Sequence, residues 1–140
     1  MSHVVPELDN PDVALVVADD ALRAAMRMLL AVSGLRVIEY RTIAEFLTSA
    51  AGARRCLVVD CQLPEMPRRR LRDQIVRLDQ QIPVVLVTAY SEDFEAAKAI
   101  RPHVYIVRKP FVGNHLVETV GDALTAAFGK RLPGVNKSSP

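Results

Sequence analysis

Short apolar runs recur along the chain, and each is followed by a stretch in which apolar residues return at helical spacing. The runs are VALVVA (13–18), LRVIEY (35–40), CLVVD (56–60), PVVLVTA (83–89) and VYIVRK (104–109). The helical stretches carry Leu22, Met26, Leu29 and Leu30; TIAEFLTSAA (42–51); Leu71, Ile75 and Leu78; SEDFEAAKAI (91–100); and Leu116, Val120, Leu124 and Phe128. Runs of this length predict strands, and the i, i+3, i+4 recurrences predict amphipathic helices. Strict βα alternation predicts an α/β chain: a parallel sheet, doubly wound, with helices on both faces reached by right-handed crossovers.

The polar content of each run predicts its place in the sheet. Runs one, three and four are continuously apolar, as strands covered on both faces must be, whereas run two carries Arg36 and Glu39 and run five ends in Arg108 and Lys109. The charged runs belong at the edges, which the order 2-1-3-4-5 satisfies. In such open sheets ligands bind beyond the carboxyl ends of the strands, at the switch point between strands one and three. That rim collects Asp19 and Asp20 after strand one, Asp60 ending strand three, Thr88 ending strand four and Lys109 ending strand five. Converging carboxylates repel one another and invite a hard divalent cation with oxygen ligands, Mg2+ being the natural guest. Asp60 could then attack a phosphoryl donor while Thr88 and Lys109 neutralise the charge on its oxygens. Each residue also has an ordinary reading: Asp19 or Asp20 as a helix cap, Thr88 as a strand end, Lys109 as a solvated edge charge.

Composition narrows the classes. A chain of 140 residues fits one domain. Half its residues are hydrophobic, yet no apolar run approaches a membrane span, and MSHVVPELDNP lacks the basic and apolar regions of a signal peptide, so a cytoplasmic protein without membrane association is expected. Cys56 and Cys61 flank one strand without CxxC spacing, which argues against a disulfide framework or zinc site. A net charge of +2 gives no argument for direct nucleic-acid binding. Residues 1–11 read as an N-terminal extension, 12–128 as the domain, and 129–140, GKRLPGVNKSSP, as a disordered tail with no output domain behind it.

The ordered motifs resemble the response-regulator receiver domain of two-component signalling over residues 12–128. They are the acidic pair after strand one, D-x-x-L-P-x-M at Asp60–Met66, Thr88-Ala89, and Lys109-Pro110-Phe111, with TIAEFL and RKPF most similar to nitrogen-fixation regulators. The resemblance implies a flavodoxin-like (βα)5 receiver fold and a stand-alone signalling domain, not an enzyme. Asp60 would accept a phosphoryl group from a histidine kinase or phosphotransfer protein. Asp19, Asp20 and Asp60 would hold Mg2+, with the Gln62 carbonyl completing the shell; Thr88 and Lys109 would contact the phosphoryl group. It also implies a cis Lys109–Pro110 bond and an effector or homodimer contact on helix 4, strand 5 and helix 5, including Phe94, Tyr105 and the outer side of 111–128.

Four places depart from the family pattern. Receivers carry two acids after the first strand and an arginine five residues beyond the second; without a gap those acids fall on Val17 and Ala18. A one-residue deletion instead puts Asp19 in the coordinating position and leaves Asp20 to cap the helix, which is the preferred expectation. Arg68 stands where glycine is common, and with Arg69, Arg70 and Arg72 makes either an anion-attracting patch or a solvated helix face. The switch aromatic three positions before the lysine is replaced by Ile106, with Tyr105 facing the other way, and AIRPHV lacks the family's Ala-Gly turn. Tyr90 is placed to cover the rim and slow attacking water. Among other classes, a flavodoxin-type cofactor binder needs phosphate-loop donors that ADDA lacks, and a haloacid-dehalogenase-type phosphatase needs an acid where Gln62 stands. A pseudo-receiver, binding protein partners without phosphorylation, is the remaining alternative.

Overall fold

The computed structural model describes residues 12–49 and 56–129. The proposed extension at 1–11 and nearly all of the proposed tail lie outside the described residues. Strands β1 (Val13–Val16), β2 (Val37–Tyr40), β3 (Cys56–Asp60), β4 (Val84–Thr88) and β5 (Val104–Arg108) form one parallel sheet in the order β2-β1-β3-β4-β5. Helices α1 (Asp20–Val32), α2 (Ile43–Thr48), α3 (Arg68–Arg77), α4 (Glu95–Ile100) and α5 (Gly113–Phe128) alternate with the strands, and a 3-10 turn at Ser91–Phe94 precedes α4.

The period of two within the strands divides the core into two layers. Val13, Leu15, Val17, Val58, Val85, Val87 and Val107 pack with Met26 and Leu30 of α1 and Leu116, Val120 and Leu124 of α5. Ala14, Val16, Leu57, Val59 and Leu86 face the other way, against Ile43 and Phe46 of α2, Leu71 and Ile75 of α3, and Phe94. Strands β1, β3 and β4 are wholly buried while β2 and β5 are partly exposed, so the edge assignment from charge holds. A side chain such as Leu15 or Leu86, buried completely, contributes about 1.5–3 kcal/mol through removal from water.

Caps fix where the helices begin and end. The Asp19 carboxylate accepts the Leu22 N–H at 2.9 Å and starts α1; Thr42 Oγ1 accepts the Glu45 N–H at 3.1 Å and starts α2. Gly129, at φ 67°, closes α5 in the left-handed conformation, its N–H donating to the Thr125 carbonyl at 2.7 Å. At the pole opposite Asp60, His103 takes φ 61°, the left-handed geometry that the absent Ala-Gly turn would have given glycine. Beside it Arg101 is 2% exposed and donates through Nη2 to the Asp79 and Ile82 carbonyls at 2.7 and 3.0 Å.

Candidate functional site

Asp60 ends β3 because Pro64, four residues on, leaves no room for the strand to continue, and its side chain is left at the carboxyl rim of the sheet. The residue is 3% exposed, and Lys109, one residue beyond β5, brings Nζ within 2.7 Å of Oδ1. This contact is an ion pair rather than an aligned hydrogen bond, and Oδ1 has no hydrogen-bond partner. Thr88, also 3% exposed, accepts the Tyr90 N–H through Oγ1 at 2.9 Å, and its carbonyl accepts the Lys109 N–H at 2.9 Å. The Cys61 N–H donates to the Val87 carbonyl at 2.9 Å, so main-chain bonds tie the ends of β3, β4 and β5 together. The Lys109–Pro110 bond is cis.

Asp60, Cys61, Gln62, Arg68, Thr88, Ala89, Tyr90 and Lys109 line one cleft of about 140 Å³. Arg68 crosses it from the first turn of α3: its guanidinium carbon lies 4.0 Å from the centroid of the Tyr90 ring, and its Nε pairs with Asp93. Tyr90 therefore does sit at the rim, with Arg68 stacked on it. Arg69 and Arg72 line a neighbouring shallow cleft with Pro67 and Asp93, while Arg70 is simply exposed. Burial pushes the Cys61 thiol up, and the adjacent Asp60 carboxylate adds to the effect, so the thiol stays neutral beside the site.

The acidic loop differs from the expected arrangement. Asp19, not Asp20, is the helix cap; Asp20 is the first residue of α1, hydrogen-bonded to Arg23 at 2.7 Å and 3.6 Å from Arg41. The argument for a deletion, which freed Asp19 by giving the cap to Asp20, fails on this geometry. Without the deletion the family's acids fall on Val17 and Ala18, and Arg23 stands five residues beyond Ala18, where the pattern wants an arginine. Arg23 Nη1 donates to the Val17 carbonyl at 2.9 Å, tying that segment to α1. Val17 is buried in the core and Ala18 packs against the opposite layer.

The donor set does not fit a divalent cation. Neither Asp19 nor Asp20 lines the cleft, both are committed to other partners, and among the described residues no three acidic, histidine or cysteine side chains gather into a metal-holding group. Of the predicted metal ligands, Asp60 and Gln62 share the cleft and the two loop acids do not. The charged groups lining the cleft are one carboxylate, one ammonium and one guanidinium, and the guanidinium is itself paired with Asp93 just outside the lining. On β5, Tyr105 packs with the α1/α5 layer and Ile106 with the other, the opposed facing expected from alternation. Phe94, expected on the partner surface, is instead fully buried because the 3-10 turn carries it into the core.

The family model for the response regulator receiver domain matches residues 13–121. The chain belongs to that family. It is 31% identical over 130 residues to the C4-dicarboxylate transport transcriptional regulatory protein DctD of Rhizobium meliloti, a match covering 91% of this chain and 28% of that regulator, so the receiver spans only about a quarter of its relative's length. Full-length FixJ from B. japonicum superposes with a TM-score of 0.73 at 19% identity, covering 84% of this chain and 59% of FixJ. The receiver domain of sensor histidine kinase PA1611 from Pseudomonas aeruginosa, which holds a magnesium ion in its active-site cleft, superposes at 0.64 with 20% identity over 86% of this chain and 99% of its own. The structural likenesses show the fold, and the family match with the regulator relative supports the two-component signalling class. No helix among the described residues is long and apolar enough to cross a membrane.

The sequence motifs located Asp60, Thr88 and Lys109 correctly on one rim. They did not expose Arg101, whose burial follows from tertiary packing; the only available signal was an arginine inside a short apolar stretch beside a proline. They also gave Arg68 two competing readings, because its stacking on Tyr90 depends on how the loop after β3 meets the loop after β4.

Proposed function

We propose that this receiver accepts a phosphoryl group on Asp60 from a histidine kinase or a phosphotransfer protein and passes the state on by protein contact. The observation carrying this reading is the buried Asp60 carboxylate held 2.7 Å from the Lys109 ammonium, in a cleft that Thr88 also lines. One oxygen of the carboxylate attacks phosphorus as the donor's P–N bond breaks. The electron pair leaves on the donor nitrogen, which takes up a proton. Lys109 and the Thr88 hydroxyl would receive the charge on the transferred phosphoryl oxygens. Incubation with phosphoramidate and magnesium should add the mass of one phosphoryl group, and Asp60→Asn should abolish the addition. Unmodified wild-type protein under these conditions would defeat the reading.

A second reading, phosphorylation-independent binding of a protein partner, draws support from Val17 and Ala18 in place of acids and Ile106 in place of the switch aromatic. Its signature is a partner affinity that Asp60→Asn leaves unchanged. In either case the partner surface runs over α4, β5 and α5, where Tyr105 is half-buried and Phe94 takes no part. An effector protein or a second copy of the chain would dock there.

A further inference from the structure

We infer that the cleft above Asp60 is a metal-independent oxyanion site, in which the Arg68 guanidinium supplies, together with Lys109, the positive charge that a phosphoryl-bearing ligand requires. Three observations meet here. The loop acids that would attract a cation are replaced by Val17 and Ala18 or engaged elsewhere, Asp19 by the Leu22 N–H and Asp20 by Arg23 and Arg41. Two cationic side chains, Arg68 and Lys109, line the cleft with the single carboxylate of Asp60, while the counter-ion of Arg68, Asp93, stands outside the lining. Asp60 Oδ1, deeply buried, has an ammonium beside it but no aligned hydrogen bond.

Lys109 is already matched by the Asp60 carboxylate and Arg68 by Asp93, so an arriving phosphate dianion gains attraction through the Arg68 amino groups that Asp93 does not occupy, in competition with Asp93. The guanidinium suits that role. It is fixed at two points, the face of Tyr90 and the Asp93 carboxylate, and only its Nε is taken by Asp93 among the described residues. The terminal amino groups remain for a planar, two-pronged approach to phosphate oxygens, the geometry in which arginine surpasses lysine. The ligand class is a small phosphate or the phosphoryl end of a phosphodonor.

The covalent step rests on Asp60 as phosphoacceptor; the binding site does not. The protein is incubated with phosphoramidate in excess EDTA and, separately, in excess magnesium, and the added phosphoryl mass is followed in time. Equal rates in the two conditions are expected, with Arg68→Gln slowing both by about tenfold through loss of charge-assisted bonds. Phosphorylation in magnesium only would overturn the inference and leave Asp60's role standing. Rates in EDTA unaffected by Arg68→Gln would likewise overturn it. If neither condition modifies the protein, Asp60 is not the acceptor, and a titration with inorganic phosphate in EDTA decides the site: amide shifts at Thr88, Tyr90 and Lys109 that weaken in Arg68→Gln sustain it, and a flat titration refutes it.

Discussion

Asp19 and Asp20 sit one residue apart and hold different partners, which gives each a separate signature. Asp19→Ala removes the oxygen that accepts the Leu22 N–H and should lower the unfolding free energy by about 1 kcal/mol, the usual cost of a lost N-cap. Asp20→Ala removes only exposed ion pairs and should cost less; urea unfolding of the two variants checks the order, and a larger loss in Asp20→Ala would contradict the cap assignment. The hydrogen bond from Arg23, followed by the charge of Arg41, holds the Asp20 carboxyl below its ordinary value. Its folded value being depressed, the stability it contributes is present above the unfolded value of 3.8 and is lost as pH falls through the folded one. The thiols act on the other side of neutrality. Burial pushes Cys56 and Cys61 far above their ordinary 9.0, so stability is full below that pH and is lost as pH rises beyond it, while the unfolded chain ionises first. Each thiol should contribute a slope of up to about 1.4 kcal/mol per pH unit, and Cys56→Ala should flatten the alkaline limb whatever it does to stability at pH 7. An alkaline limb of unchanged slope in that variant would remove Cys56 from the account.

At the scale of elements, Arg101 joins segments that the chain keeps far apart. It follows α4, yet its guanidinium holds the Asp79 and Ile82 carbonyls in the turn before β4, with Nε and Nη1 buried and unpaired. Arg101→Ala leaves those carbonyls without their donor and opens a void, and should lower the unfolding free energy by about 2–4 kcal/mol; a loss under about 1 kcal/mol by urea unfolding would mean that the turn finds substitute donors. The contrast between this residue and the strands marks what the sequence made legible. Strand order, edges and both core layers followed from apolar runs and their period of two, because burial on one or two faces writes itself directly into composition. The run at 13–18 proved longer than its strand: β1 ends at Val16, although Val17 stays buried and its N–H still donates to the Tyr40 carbonyl at 3.1 Å. Asp60, Thr88 and Lys109 were legible because strand ends in a parallel sheet share a rim. The choice of Asp19 over Asp20 as cap, the burial of Phe94 and the stacking of Arg68 on Tyr90 were not, since each is decided by where a loop turns rather than by any repeating pattern.

For the whole molecule, the loops after β3 and β4 form one charged unit on the rim, and β5 lies outside it. Arg68 is shared: it pairs with Asp93 in the 3-10 turn and lines the cleft over Asp60. A phosphoryl group arriving on Asp60 competes with Asp93 for the same guanidinium, and whatever Arg68 gains from the new anion it loses in tethering that turn. Coupling of this kind is reciprocal, so weakening the Asp93 tether must strengthen anion binding. On β5, by contrast, Ile106 offers no aromatic ring to turn, and Tyr105 packs into the α1/α5 layer away from the site. The conformational response should therefore follow the Arg68–Tyr90–Asp93 chain rather than β5. Amide shifts on phosphorylation, or on phosphate binding, should concentrate in residues 61–68 and 88–94 and fade along 104–108. Asp93→Asn should tighten phosphate binding several-fold, by an amount comparable to the roughly 1 kcal/mol that an exposed ion pair can be worth. Shifts spread over β5 and α5 with none at 90–94, or an Asp93→Asn variant that binds phosphate more weakly, would show that the rim loops do not carry the signal.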